Sequence, residues 1–325
     1  MLKCSVRALR LLLGACLLTT AALAADYPAK PITIIVPYPP GGSSDIQARL
    51  VAKGLAERLG QPVLVDNRPG AGGRIGVSLA ARAVPDGYTL LFGSLSPFAI
   101  EPVVRGNVGY DPQRDFVPIS MLVEMPFLLV VSSSFPAKSL QELIALGRKQ
   151  PDGLSYASWG AGSAGHVLME MLKHSAQIEA VHVPYKGEAP AILEILGGRV
   201  SMMFVTTVAA MPHIQSGKLR PLAITGAARL AMLPAVPTMA ESGFGGIDLQ
   251  LWSSIVAPAK SPPEIVARLE KEIGVVLRSP EFVRFAQSQG AVPLPSSGKE
   301  VAQRIRTDSD AVRRLVTAAR LKIDD

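Results

Sequence analysis

Two segments of this chain share one construction: an apolar β-rich run that ends in glycines and opens directly into a helical periodicity. In the first, Ile32 to Val36 (ITIIV) is closed by Pro37-Tyr38-Pro39-Pro40-Gly41-Gly42. Ile46, Leu50, Val51, Leu55 and Leu59 then follow near 3.6 spacing, predicting a helix from Ser44 to Leu59. In the second, Leu154 to Ser158 is closed by Trp159-Gly160-Ala161-Gly162, and a helix is predicted from Ser163 to His174. A strand that turns straight into a helix leaves the first helical N–H groups without intrahelical partners. Those groups carry the positive end of the helix dipole and suit an anion.

Around these two units the alternation continues. Pro62 to Val65, Tyr88 to Gly93, Val181 to Tyr185, Val200 to Val205 and Leu219 to Ile224 read as strands. Gly76 to Ala83, Leu140 to Lys149, Pro190 to Leu196 and Ala209 to Gln215 read as helices. The pattern implies an α/β fold of mostly parallel sheets flanked by helices, in two lobes with a ligand cleft between them. Phe116 to Val131 is long and strand-like, and Leu249 to Ala257 resembles a return strand. If both cross between lobes, they form a hinge. Lobe one then comprises residues 25–124 and 251–325, and lobe two residues 125–250. After the return strand only helices are expected, from Pro263 to Leu277, Pro280 to Gln287 and Ser297 to Leu321.

The first 24 residues read differently. Lys3, Arg7 and Arg10 precede an apolar run from Leu11 to Leu23, and Ala22-Leu23-Ala24 fits a small-x-small cleavage site. This is a secretory signal, and it predicts export to the periplasm. Lipoprotein anchoring at Cys16 is the weaker alternative. Removing the signal takes the formal charge from +7 to +4 and removes both cysteines, Cys4 and Cys16, so no disulfide is expected. With aromatics at 5% and no block of five or more Lys/Arg, the footprint of a nucleic-acid binder is weak, and no nucleic-acid partner is expected.

The candidate site residues follow from the two turns. Gly41 and Gly42 let a ligand approach the backbone, Ser43 adds a hydroxyl, and Asp45 is placed to cap the helix or pair with Arg49. Gly160-Ala161-Gly162-Ser163-Ala164-Gly165 is formally G-x-G-x-x-G. A dinucleotide site, however, needs an acid at the end of the next strand, where Lys186 stands. No cofactor is therefore expected. Tyr185 and Lys186 end a strand at the same face and are candidates to reach the cleft. Ser163 and His166 at i,i+3 keep an exported serine hydrolase open as the alternative, although no acid is placed to orient the imidazole. The histidines form no metal motif, and no metal is expected.

The runs VPYPPGGSSDIQARLVAKGLAERLGQPVLVDNRPGAGGRIG (36–76), PDGYTLL (85–91), SWGAGSAGH (158–166), HVPYKG (182–187) and LPAVPTMAESG (233–243) carry a resemblance. In order and spacing they resemble the receptors of tripartite tricarboxylate transporters, the Bug receptors. The resemblance implies a non-enzymatic, monomeric periplasmic receptor that closes on a small carboxylate or acidic amino acid. Membrane transporter subunits or a sensor kinase would be its partners. It also implies that the carboxylate is gripped by the elements Tyr38 to Asp45, with Pro39 and Pro40 in the turn, and Ser158 to His166. The resemblance likewise implies that Ser94 and Ser96, after the strand Tyr88 to Gly93, face the cleft. Where members often carry acids or amides after the strand ending here in Phe204, this chain has Val205-Thr206-Thr207, so Thr206 offers a hydroxyl. Trp159 is bulkier than expected beside the second turn and is a candidate to stack on a flat ligand.

Overall fold

The computed structural model describes residues 27–150, 153–185 and 187–319. The segment expected to be a signal, with Cys16, and Lys186 lie outside the described residues. The elements in chain order are β1 (Ile32–Val36), α1 (Ser43–Leu59), β2 (Val63–Asn67), α2 (Arg74–Ala81), β3 (Thr89–Ser94) and α3 (Glu101–Arg105). Next come β4 (Phe116–Met125), β5 (Phe127–Ser132), α4 (Leu140–Lys149), β6 (Ser155–Ser158), α5 (Ala164–Ala176), β7 (Val181–Pro184), α6 (Glu188–Leu196) and β8 (Met202–Thr206). The remainder is α7 (Thr207–Gln215), β9 (Leu219–Ile224), β10 (Leu251–Pro258), α8 (Pro263–Leu277), α9 (Pro280–Ser288), β11 (Val292–Pro293) and α10 (Gly298–Ala319).

These strands form two sheets, in the orders β11-β4-β10-β3-β1-β2 and β7-β6-β8-β5-β9. Each sheet is mixed. The strand–helix–strand units pair in parallel (β1 with β2 and β3, β6 with β7 and β8). The strands that lead between sheets add antiparallel ladders (β10 with β3 and β4, β5 with β8 and β9). Parallel strands need helices on both faces, and β1 shows it: Ile32, Ile34, Ile35 and Val36 are all buried.

The long run Phe116 to Val131 is two strands and not one. Pro126 has no N–H to continue a ladder, and the chain leaves the first sheet there and enters the second. The return runs through the irregular segment 225–250 before β10 begins. At this second crossing Thr225 N donates to Phe127 O at 2.9 Å, and Phe127 N donates to Thr225 Oγ1 at 2.9 Å. The two connections are therefore laced side by side.

α10 ties the halves together, packing on β4, α3 and α5. Its Asp308 accepts the buried indole N–H of Trp252 at 2.6 Å and Arg304 Nε at 2.9 Å. Arg304 in turn pairs with Glu124 of β4. One apolar core runs through both sheets, from Phe98 and Trp252 to Tyr156 and Phe204. Among the described residues no helix is long and apolar enough to cross a membrane.

Candidate functional site

Strand register decides where the two glycine turns meet. β1 and β3 are parallel, so Val36 and Ser94 end at one edge of the first sheet. β10 opposes β3 through Ser253 and Ser94, and it opposes β4 through Leu251 and Met125. Met125 therefore lies at that same edge. Two residues later, past Pro126, Phe127 stands opposite Thr206, at the carboxyl end of the parallel strands β6 and β8. The crossing thus joins the carboxyl edges of the two sheets, and both turns open onto one gap. Ligands of open α/β sheets bind outside such edges.

The first turn is held from below. Gly41 has φ +84°, a left-handed conformation that favours glycine. Its N–H donates to Asp45 Oδ2 at 2.9 Å, which also accepts Arg49 Nε at 2.9 Å. Asp45 Oδ1 accepts Asn67 Nδ2 at 3.0 Å, and the same amide donates to Tyr38 O at 3.1 Å. Asp45 is buried, and both of its oxygens are committed to the turn, so it acts as a brace inside the scaffold. The Arg49 hydrogen bond is the main force holding its carboxyl below the usual carboxylate range. Gly42 is the N-cap of α1 and supplies no side-chain cap. The first N–H groups of a 17-residue helix are therefore left for an external acceptor. Pro39, Pro40, Gly41 and Gly42 are exposed, and Ser43 accepts from Gln47 Nε2 at 3.0 Å, leaving its hydroxyl proton to donate outward. Tyr38 bonds the buried Ser94 through their hydroxyls at 2.8 Å. Burial pushes the Tyr38 phenol up to about 12. Ser96 is half-buried and opens the wide turn that leads into α3.

The second turn is held by a stacked set of rings. Ser158 is fully buried; its hydroxyl donates to Gly160 O at 3.0 Å and bonds His182 Nε2 at 2.7 Å. It therefore shapes the turn from inside. Gly162, with φ +78°, donates its N–H to His166 Nδ1 at 3.1 Å. The His166 and His182 rings stack at 4.0 Å, and Tyr156 stacks on His182 at 4.8 Å. Burial, reinforced by His182, pushes His166 down to about 4, so the ring is neutral and its Nδ1 is an acceptor. The Ser163 hydroxyl caps α5 by accepting from His166 N at 3.4 Å. The imidazole nitrogen nearest the turn is thus engaged by a backbone N–H and does not face the Ser163 hydroxyl as a general base would. Trp159 is turned inward: it stacks on Phe127 at 5.9 Å and lies over Gly165. Its place is the hinge-side wall. Tyr185 is half-buried and donates its N–H to Ser158 O at 2.9 Å.

Several residues at this gap escape sequence reasoning. Glu101 and Arg105 form a buried pair at 2.7 Å on α3, and Arg105 Nη2 donates to Ala161 O of the second turn at 3.1 Å. Glu101 Oε1 also lies close to where side chains at Gly72 and Gly162 would begin. The i,i+4 spacing of Glu101 and Arg105 was the available signal. Thr207 Oγ1 donates to Gln289 O across the gap at 2.8 Å, so the two halves touch at a second point. Glu188 binds Thr206 twice, which puts a carboxylate on a wall expected to offer hydroxyls alone. Among the described residues no group of three or more His, Cys, Asp or Glu is gathered for a metal. A hollow of about 660 Å³ lies elsewhere, between α8 and the start of α10.

Comparison with known proteins agrees with this geometry. The family model described as "Tripartite tricarboxylate transporter family receptor" matches residues 47–321. Protein BugT of Bordetella pertussis (strain Tohama I) is 39% identical over 308 residues, covering 93% of this chain and 94% of that protein. Among solved structures, R. palustris Rpa4515 with adipate superposes with a TM-score of 0.84 at 33% identity, over 91% of this chain and 99% of that one. MatC (Rpa3494) from Rhodopseudomonas palustris with bound malate gives 0.81 at 30% identity, over 89% and 100%. With one family model spanning most of the sequence and these relatives aligned along nearly their whole length, the chain belongs to the tripartite tricarboxylate transporter receptor family.

Proposed function

We propose that the protein is an exported periplasmic receptor that closes on a small organic carboxylate. It would deliver the solute to a tripartite tricarboxylate-type membrane transporter or present its closed form to a sensor. The observation that carries this reading is the uncapped amino end of α1, opposed across one gap by the glycine turn before α5. The lobes are assigned as residues 25–124 with 251–325, and 125–250, with Met125-Pro126-Phe127 and Thr225 as the hinge. Each helix end contributes about 0.3–2 kcal/mol to a bound anion. Hydrogen bonds to a charged acceptor contribute about 1.5–3 kcal/mol each. A handful of these, less the cost of ordering, reaches the roughly −8 kcal/mol of micromolar binding. The fold and family are those of solute-binding receptors, and the engaged His166 nitrogen supports binding over hydrolysis.

The test is a thermal-shift screen of the mature protein against mono-, di- and tricarboxylates, hydroxy acids and acidic amino acids. A ligand at 100 times its Kd stabilises by about 2.7 kcal/mol. Failure of every carboxylate to raise the melting temperature would remove the reading. Turnover of an ester or amide that disappears in Ser163→Ala would replace it.

A further inference from the structure

We propose that Glu188 forms a second recognition point in the same cleft, accepting from an ammonium or hydroxyl at the far end of a ligand whose carboxylate sits at the glycine turns. The inference rests on the receptor reading and narrows its ligand class. Glu188 is the first residue of α6, and both of its oxygens are fixed by one neighbour. Thr206 N donates to Oε1 at 2.8 Å, and Thr206 Oγ1 donates to Oε2 at 2.8 Å. A carboxylate has about four acceptor positions, so two remain open once Thr206 has oriented the group.

The position of Thr206 determines where that carboxylate stands. Thr206 lies at the carboxyl edge of the second sheet, opposite Phe127 of the crossing, and caps α7 by accepting from Ala209 N at 3.4 Å. Its neighbour Thr207 is the residue that reaches Gln289 of the first half. Glu188 is therefore bonded to the residue next to the one through which the two halves touch. It is half-buried, and among the described residues no Lys, Arg or His pairs with it. Burial pushes its carboxyl up, and the two hydrogen bonds from Thr206 oppose that shift. A ligand cation or hydroxyl opposes it further; a second ligand carboxylate meets like charge.

The experiment uses two chain-matched sets with the mature protein. The first set is 4-aminobutyrate, 4-hydroxybutyrate, succinate and butyrate. The second is 6-aminohexanoate, 6-hydroxyhexanoate, adipate and hexanoate. Calorimetric titration of the wild type is expected to show the amino or hydroxy acid of the better-fitting length bound at least tenfold more tightly than its dicarboxylate. Glu188→Gln should cut that preference at least tenfold while leaving the plain monocarboxylate within about threefold. If the glutamine variant does not fold, Glu188→Asp, which withdraws the charge by one methylene, should show the same loss of preference. A preference unchanged in the variant, or an equal loss for every probe, assigns Glu188 to bracing Thr206 and overturns the inference. In that case monocarboxylate binding by the wild type still upholds the receptor reading. If the wild type binds none of the eight, the inference falls, while the receptor reading is decided by the wider carboxylate screen.

Discussion

Replacing Gly42 with valine separates binding from folding more cleanly than any other change at this site. Gly42 has φ −80° and ψ 170°, extended backbone that a β-branched residue adopts readily. A Cβ added there meets only Pro39 O, at 3.8 Å, an ordinary contact. Losing a glycine also reduces the freedom of the unfolded chain, worth about 0.4–1 kcal/mol in favour of the fold. Stability should therefore hold or rise slightly. Binding should not survive, because the two valine methyls stand in front of the unpartnered N–H groups of Ser43 and Ser44. Two hydrogen bonds to a charged acceptor are worth about 3–6 kcal/mol together. At 1.4 kcal/mol per decade the affinity should fall about a hundredfold to ten-thousandfold. The assay pairs a urea denaturation curve without ligand with calorimetric titration of whichever carboxylate stabilises the wild type most. A variant with the wild-type midpoint and wild-type Kd would show that the amino end of α1 does not hold the anion. The same substitution at Gly41, where φ is +84°, would not discriminate, since backbone strain there confounds folding with binding.

Gly165→Ala should destabilise by about 1–3 kcal/mol, because the new methyl would lie 2.5 Å from the Trp159 ring; a lower urea midpoint and a shifted tryptophan emission check it. Asp45 has its carboxyl held low in the fold, so its contribution is complete above the unfolded pKa of about 4 and is lost as pH falls below it. Melting temperature against pH should consequently be flatter below pH 4 in Asp45→Asn than in the wild type. His166 is held neutral with a pKa near 4 against about 6.5 unfolded, so its contribution is complete above pH 6.5 and is lost as pH falls toward 4. The ring should show no titration above pH 5 by NMR, and a midpoint near 6.5 would contradict the Gly162 N–H to Nδ1 hydrogen bond.

The elements nearest the site are the ones most legible from residue order, and the reason is local. Ile32 to Val36 and Leu154 to Ser158 are short β-rich runs followed by glycine turns, and a helix start after a glycine turn is decided within a few residues. Asp45 bonding Gly41 and Ser163 capping α5 are contacts within one helical turn, open to the same reasoning. What was not legible is set at long range. The mixed character of the sheets depends on β10 inserting between β3 and β4 and on β5 inserting between β8 and β9, which no periodicity encodes. The packing of Trp159 could not be read from residue order because its partners, Gly165 and Phe127, come from different elements. Glu188 meets Thr206 only because β8 brings that residue against it, and α3 was too short for its period to register. The break at Pro126 was readable in principle, but the largely apolar run from Phe116 to Val131 masked it.

The strand order of the first sheet also sets an order of assembly. β10 occupies the middle of that sheet, between β4 and β3, yet follows the entire second sheet in the chain. As the polypeptide emerges, β1, β2 and β3 can pair at once, whereas β3 keeps a bare edge until β10 arrives. The second sheet has all its strands within one uninterrupted stretch and faces no such wait. Its completion brings Thr225 beside Phe127 and so shortens the loop that β10 must close. Such late, non-local pairing is slow and leaves an open edge available to other chains in the meantime. A receptor whose ligand gap lies at the junction of two sheets is thereby one whose central strand is among the last to be secured. Its yield should respond to changes at the crossing well before its affinity does.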